Sequence, residues 1–213
     1  KAMEERIPEA KNRSVVVEGL VRPTALKVKE CGSGDKKVFL YTGALDEFTC
    51  VKDLVEAFRT IKSPEYRLVI CGVGALSSYV ERVSHEDPRI EFKGVVSRDE
   101  CLTLQREATC LVNPRKPNGD ITKFSFPSKT MEYMSSGTPM IGYKLEGIPS
   151  EYYEHMYTPS DLTNESLAQT MEQVASVGQA VLNDKAKAAY EFLSTNKTAK
   201  AQAQKIVEFL AQP

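Results

Sequence analysis

From residue 38 to residue 143 the chain alternates short apolar runs with longer amphipathic segments, and this rhythm restricts the fold more than any other feature. Residues 38–41, 67–71, 90–92, 109–112 and 140–143 read as strands, with a sixth expected at 156–157. Between them, 51–61, 75–83, 98–106 and 128–135 carry apolar residues at helical spacing. Strand and helix alternation at this spacing predicts a parallel sheet covered on both faces, a doubly wound α/β domain. In such sheets ligands bind beyond the carboxyl ends of the strands, near the switch in strand order.

Outside this region the pattern changes. Residues 1–14 are polar and aperiodic, and Val15-Val16-Val17-Glu18-Gly19-Leu20-Val21 is a strand-like run without a sequence neighbour to pair with. Residues 22–37 hold Pro23, Gly32 and Gly34 and read as a connector with room for one helical turn. After Pro159 the strand signal stops, and 165–177, 179–193 and 199–210 read as helices, favoured by Ala180, Ala186, Ala188, Ala189 and the run Ala199-Lys200-Ala201-Gln202-Ala203. The expected division is a strand and linker over 1–36, the doubly wound domain over 37–159, and a helical extension over 160–213 packing on it.

Composition removes several classes of function. Lys and Arg number 28 against 29 Asp and Glu, so no global field favours nucleic acid or an anionic membrane. The five cysteines, Cys31, Cys50, Cys71, Cys101 and Cys110, are odd in number and widely spaced, which argues against a disulfide framework or a thiolate zinc site and fits a reducing compartment. His85 and His155 have no metal-type spacing, so no metal is expected. No apolar run approaches the ~18 residues that span a bilayer, and the first residues have no signal-peptide core, so the expectation is a soluble cytoplasmic chain. Neither a Gly-x-Ser-x-Gly elbow nor a Gly-x-x-x-x-Gly-Lys-Ser/Thr loop occurs.

The candidate sites fall where strands end. Gly43 follows the first strand, Gly72 and Gly74 the second, Gly94-Val95-Val96 the third, and the 113–123 loop with Arg115, Lys116 and Lys123 the fourth. Glycine at such turns either admits close backbone approach to a ligand or only makes a tight strand-to-helix turn. Gly72-x-Gly74 lacks the third glycine of a dinucleotide fingerprint, because Ser77 stands there. The 113–123 loop is either an anion-closing loop or a solvated one.

Residues 124–141 carry the sharpest signal. Pro127 suits a first helical turn, and Gly137 with Pro139 gives the stop. Ser128 and Lys129 lie four and three residues before Glu132, on one helix face, with Glu132 roughly 6 Å further along the axis. A diphosphate at the helix mouth places an attached ribose near Glu132, an acceptor suited to sugar hydroxyls. Lys129 opposes the helix dipole, at about 0.3 to 1 kcal/mol when exposed, and a bound phosphate reverses that sign. The alternative is an exposed Lys129–Glu132 pair worth a few tenths of a kcal/mol.

Taken together, residues 15–211 resemble the carboxyl-terminal half of a retaining glycosyltransferase with the GT-B fold, of the large group 1 class that uses nucleotide-sugar donors. The resemblance is strongest at 38–58 with Tyr-Thr-Gly-Ala-Leu, at 69–74, at 87–99 with Asp-Pro-Arg-Ile-Glu-Phe-Lys-Gly-Val-Val-Ser-Arg-Asp, and at 124–149. It implies a Rossmann-like domain that binds a nucleoside diphosphate sugar as substrate, with no cofactor. The positions implied to face the donor are Gly43, Gly72, Gly74, Val95, Val96, Arg115, Phe126, Ser128, Lys129 and Glu132. Of these, the helix after Pro127 takes the diphosphate, Glu132 the ribose, and the backbone at Val95 and Val96 the base. Relatives often carry an arginine after the first-strand glycine and a lysine five residues later, whereas this chain has Ala44 and Thr49, and Phe124 replaces a glutamate often placed at the sugar. Lys129 with Arg115 or Lys116 restores part of the charge, and Phe-Pro-Ser-Lys resembles a subgroup tied to polysaccharide assembly. The resemblance further implies an acceptor, a sugar or lipid-linked sugar, held by an amino-terminal domain absent from this chain. The full enzyme would then be open to peripheral membrane contact, and residues 15–21 would be the remnant of that domain's last strand. A nucleotide-sugar sensor and a sugar-nucleotide epimerase on the same fold are the alternatives.

Overall fold

The computed structural model describes residues 6–11, 13–22, 26–27 and 36–211. Among them, five parallel strands, β1 (Lys37–Thr42), β2 (Tyr66–Cys71), β3 (Ile90–Gly94), β4 (Cys110–Asn113) and β5 (Met140–Gly142), form one sheet in the order β3-β2-β1-β4-β5. The crossovers carry α1 (Val51–Thr60), α2 (Ser77–Glu86), α3 (Arg98–Glu107), and the pair α4 (Gly119–Phe124) and α5 (Ser128–Met134). Beyond β5, a 3-10 segment at Ser150–His155 leads to α6 (Asn164–Ser176), α7 (Gln179–Asn196) and α8 (Ala199–Leu210). The chain is thus α/β, with a Rossmann-like sheet and carboxyl-terminal helices. β1 lies between β2 and β4, so the strand order reverses there and a crevice opens beyond the carboxyl ends of β1 and β4.

Alternation along each strand splits the core into two layers. Phe39, Tyr41, Leu68 and Ile70 face Leu54 and Phe58 of α1, Val80 of α2, and Met171 and Val174 of α6. Leu40, Val69, Leu111 and Met140 turn to the other side and meet Met131 and Met134 of α5 and Leu193 of α7. Helix α1 docks because Val51, Leu54, Val55 and Phe58 repeat at three- and four-residue spacing, and all are buried. Truncating Phe58 to alanine there would cost about 3–5 kcal/mol. Hydroxyl caps set where three helices start: Ser97 accepts from the Glu100 amide, Thr163 from Ser166 and Thr198 from Ala201.

Three expectations need correction. Residues 113–123 are not wholly a loop, because Gly119–Phe124 is helical. Its anchors are tertiary: the Gly147 amide donates to Thr122 O at 2.8 Å, and a β-carbon at Gly147 would stand 2.4 Å from Ser125 O. Residues 15–21 form no strand. With β3 and β5 as the sheet edges, only Val21 finds a backbone partner among the described residues, its amide donating to Lys197 O at 2.9 Å beside a single bridge to Thr198. At 156–157 the expected strand reduces to one bridge, Tyr157 with Ile141, just before Pro159, which has no amide to continue a ladder. The connector expected at 22–37, with its helical turn, lies largely outside the described residues, as does Cys31.

Candidate functional site

The turns after the first three strands lie on one another. Gly43 N–H donates to Cys71 O at 2.9 Å, Leu45 N–H to Val73 O at 3.1 Å, and Gly72 N–H to Gly94 O at 2.7 Å. Their closeness depends on glycine. A β-carbon at Gly72 would stand 1.7 Å from Gly43 O, and one at Gly74 2.3 Å from Leu45 O. The bare faces of Gly72 and Gly74 are therefore filled by the 43–45 backbone. Gly94, at φ +62°, has open space instead.

Helix α5 is pinned over the end of β1. Its Tyr133 is fully buried, and the phenol oxygen accepts from Thr42 N–H at 2.9 Å. Burial pushes that phenol's pKa up, so it stays protonated. Pro127 takes the position before the first turn, no side chain caps that end, and Ser128 is exposed there. Lys129 reaches back across the β1 turn: a β-carbon on Gly43 would stand 2.9 Å from Lys129 Cε and 3.2 Å from Nζ. The Lys129 amine is 3.9 Å from Glu132 Oε2 and 5.1 Å from the centre of the Tyr133 ring.

Glu132 points the other way along the same face, into a cleft of about 270 Å³ that it lines with Arg98, Gln105, Leu193, Val21 and Arg22. Its Oε1 accepts from Gln105 Nε2 at 2.7 Å. Arg98 opens α3 directly after the Gly94–Ser97 turn, so the exposed Val95 and half-buried Val96 lie on the loop leading into this cleft.

The remaining expected residues are held less centrally. Arg115 stacks over Phe48 at 4.2 Å and reaches Ser125 Oγ at 3.3 Å, facing a ring and a hydroxyl rather than a carboxylate. Burial lowers its pKa by disfavouring the charge, which a bound anion would relieve. Lys116 is engaged elsewhere, 3.0 Å from Asp53 of α1 and 3.2 Å from Asn164 of α6. Phe126 packs on Tyr152 with ring centres 5.0 Å apart, within the second core layer. Ala44 and Thr49 have local duties. The Ala44 carbonyl accepts from Tyr41 at 2.6 Å, and Thr49 closes a reciprocal cap with Asp46. Burial pushes Tyr41 up to about 12, keeping it a donor.

Sequence reasoning missed Gln105, Thr42 and Tyr133, which tie β1, α3 and α5 together. Gln105 sits at an inward position of a polar helix, a local anomaly that could have flagged it. Among the described residues no group of three or more His, Cys, Asp or Glu side chains could hold a metal ion. No described helix is long and apolar enough to cross a membrane.

A five-stranded parallel sheet in this order, with helices on both faces and α5 over the β1 turn, defines a Rossmann-like α/β domain. The chain belongs to the group 1 glycosyl transferases, whose family model matches residues 36–177, and it corresponds to the carboxyl-terminal half of the GT-B fold. It is similar to sucrose-phosphate synthase from Thermosynechococcus elongatus (TM-score 0.67, 20% identity, 83% of this chain and 45% of that one). It is also similar to Anabaena HepE in complex with UDP-glucose (TM-score 0.65, 16% identity, 83% and 49%). A third likeness is to the C-terminal domain of the group 1 glycosyl transferase LpcC from Francisella tularensis (TM-score 0.62, 18% identity, 78% and 88%). The chain spans about half the length of the first two. No curated protein matches it in sequence.

Proposed function

We propose that the chain binds the nucleoside diphosphate of a sugar donor beyond the carboxyl ends of β1 and β4, in the service of glycosyl transfer to an acceptor hydroxyl by the whole protein. The observation that carries this reading is the division of one helix face, with Lys129 over the Gly43 turn and Glu132 in the adjoining cleft. Lys129 and the first amides of α5 meet the diphosphate, Glu132 meets the ribose hydroxyls, and the backbone at Val95 and Val96 meets the base. Gly43 admits the phosphates closely, with Arg115 as a second cation, while Gly72, Gly74 and Phe126 shape the site from behind. The structure of HepE with UDP-glucose supports the donor class. As the sugar leaves, negative charge grows on the diphosphate, and a cation already aimed at it lowers the barrier. Lys129 then stands in for the two cations that Ala44 and Thr49 do not supply. Polysaccharide or glycoconjugate assembly in a reducing, cytoplasmic setting is the pathway this reading favours. A second reading, a nucleotide-sugar sensor without turnover, draws on the same two positions, because Thr49 is committed to its cap.

Calorimetry with UDP, GDP and ADP tests the proposal. One diphosphate is expected to bind, with affinity falling about tenfold in Lys129→Ala, as for loss of a charge-assisted contact. Glu132→Ala should erase the preference for ribose over 2′-deoxyribose. Absence of heat with all three nucleotides at about 1 mM, a concentration that reveals binding of about 4 kcal/mol, overturns it.

A further inference from the structure

A side-chain amide shut off from solvent stands behind the Glu132 carboxylate. Gln105 is 0% exposed, and its Nε2 donates to Glu132 Oε1 at 2.7 Å. The same amide nitrogen reaches Thr42 Oγ1 at 3.4 Å, and Thr42 is bonded through its own amide to Tyr133, the residue after Glu132. One buried polar chain thus joins β1, α3 and α5. The Gln105 backbone carbonyl also accepts from Thr138 Oγ1 at 2.7 Å, which fixes the end of α3.

Packing does not account for this residue. Gln105 Oε1 is buried without a hydrogen-bond partner among the described residues, a penalty that an apolar side chain of similar length would avoid. What an apolar residue could not supply is the donor to Glu132.

We propose that Gln105 is a positioning residue for Glu132. Its amide holds Oε1, so that the carboxylate, whose side chain is 45% exposed, presents its other oxygen to the cleft both residues line, set to accept from the vicinal diol of a pentose. This rests on the assignment of Glu132 to the donor ribose, and extends it from the residue that touches the sugar to the one that aims it. Among the described residues, the charged and titratable groups around the pair are Lys129 and Tyr133 on α5, Arg98, Cys101 and Arg106 on α3, Arg22 and Lys27 before β1, and Tyr190 on α7.

The test uses the 213-residue chain. Whichever of UDP, GDP and ADP binds tightest is compared with its 2′-deoxy form, and the ratio of the two affinities reports the grip on the ribose. Gln105→Met keeps the length and removes the donor. It is expected to lower the ratio about tenfold, toward that of Glu132→Ala, with affinity for the deoxy form unchanged. Gln105→Glu places a carboxyl 2.7 Å from Glu132, where the two share one proton. Its ratio should stay near the parent's at about pH 5 and fall by about pH 8, a dependence that mere packing does not produce. Should Gln105→Met fail to fold, the Gln105→Glu profile carries the test. A parent chain that binds no nucleotide, or a ratio unchanged in Glu132→Ala, overturns the ribose assignment itself. A ratio that depends on Glu132 but is untouched in Gln105→Met, or independent of pH in Gln105→Glu, overturns the positioning role alone.

Discussion

The carbonyl oxygen of Gly43 occupies the space where a β-carbon on Gly72 would stand, 1.7 Å away. The turn beneath the proposed phosphate site is therefore seated on the turn after β2, and the fit tolerates no side chain. Gly72→Ala strains a backbone at φ +145° and must also push the Gly43 peptide out of place, together at about 3 kcal/mol, comparable with overpacking a tight core. Gly94→Ala meets no neighbour within 4 Å and pays only for its φ of +62°, about 1 kcal/mol. Urea unfolding of the two variants checks the order. Equal losses would show that close packing of the turns is not what demands glycine at position 72.

At the start of β3, Asp87 and Arg89 pair at 2.7 Å, with the Arg89 guanidinium 5.1 Å over the Phe58 ring of α1. The side-chain hydrogen bond from Arg89 holds the Asp87 carboxyl below its ordinary value of 3.8. A depressed carboxyl contributes stability above its unfolded value and loses it as pH falls through the folded one. Asp87→Asn should therefore cost about 1–2 kcal/mol near pH 7, and the gap to the parent should close as pH falls below 3.8. Urea curves at both ends of that range test this; a gap that persists in acid would assign the loss to altered packing.

The strands and most helices were legible because each carries its own period: α8 has the bounds its alanine-rich run predicts, and α1 differs only at its last residue. What was not legible depends on partners far away in sequence. The short α4 is fastened by Gly147, and the 15–21 run, apolar enough for a strand, has no neighbouring strand among the described residues to complete its ladder. The same holds at the candidate site. Ser128, Lys129 and Glu132 share a face by helical spacing alone. Gln105, 27 residues earlier, becomes visible only when α3 and α5 are packed together. For Gly72 and Gly74, spacing left both a ligand contact and a tight turn open, and only the packed structure shows the carbonyls of Gly43 and Leu45 filling the space beside them.

The segment before β1 is fastened by a buried charge cluster. Lys197 is 1% exposed, and its amine donates to Glu151 at 2.7 Å and to Glu18 at 3.2 Å, while the Glu18 side chain is only 4% exposed. The same stretch continues to Val21 and Arg22, which line the cleft with Glu132, so the latch holds one wall of the proposed ribose site. Removing the cation alone is the damaging change: Lys197→Met leaves buried Glu18 only the longer 3.9 Å contact to the half-exposed Lys205, at about 3 kcal/mol, while Glu151, 52% exposed, returns to water. Removing both charges with Lys197→Met and Glu18→Leu should recover most of that loss, since a buried pair contributes little net stability over apolar packing. Chemical denaturation of the single and double variants measures the recovery. If the double variant is no more stable than Lys197→Met, the segment is held by the Val21 bridge and side-chain packing, and the charges are incidental to its seat.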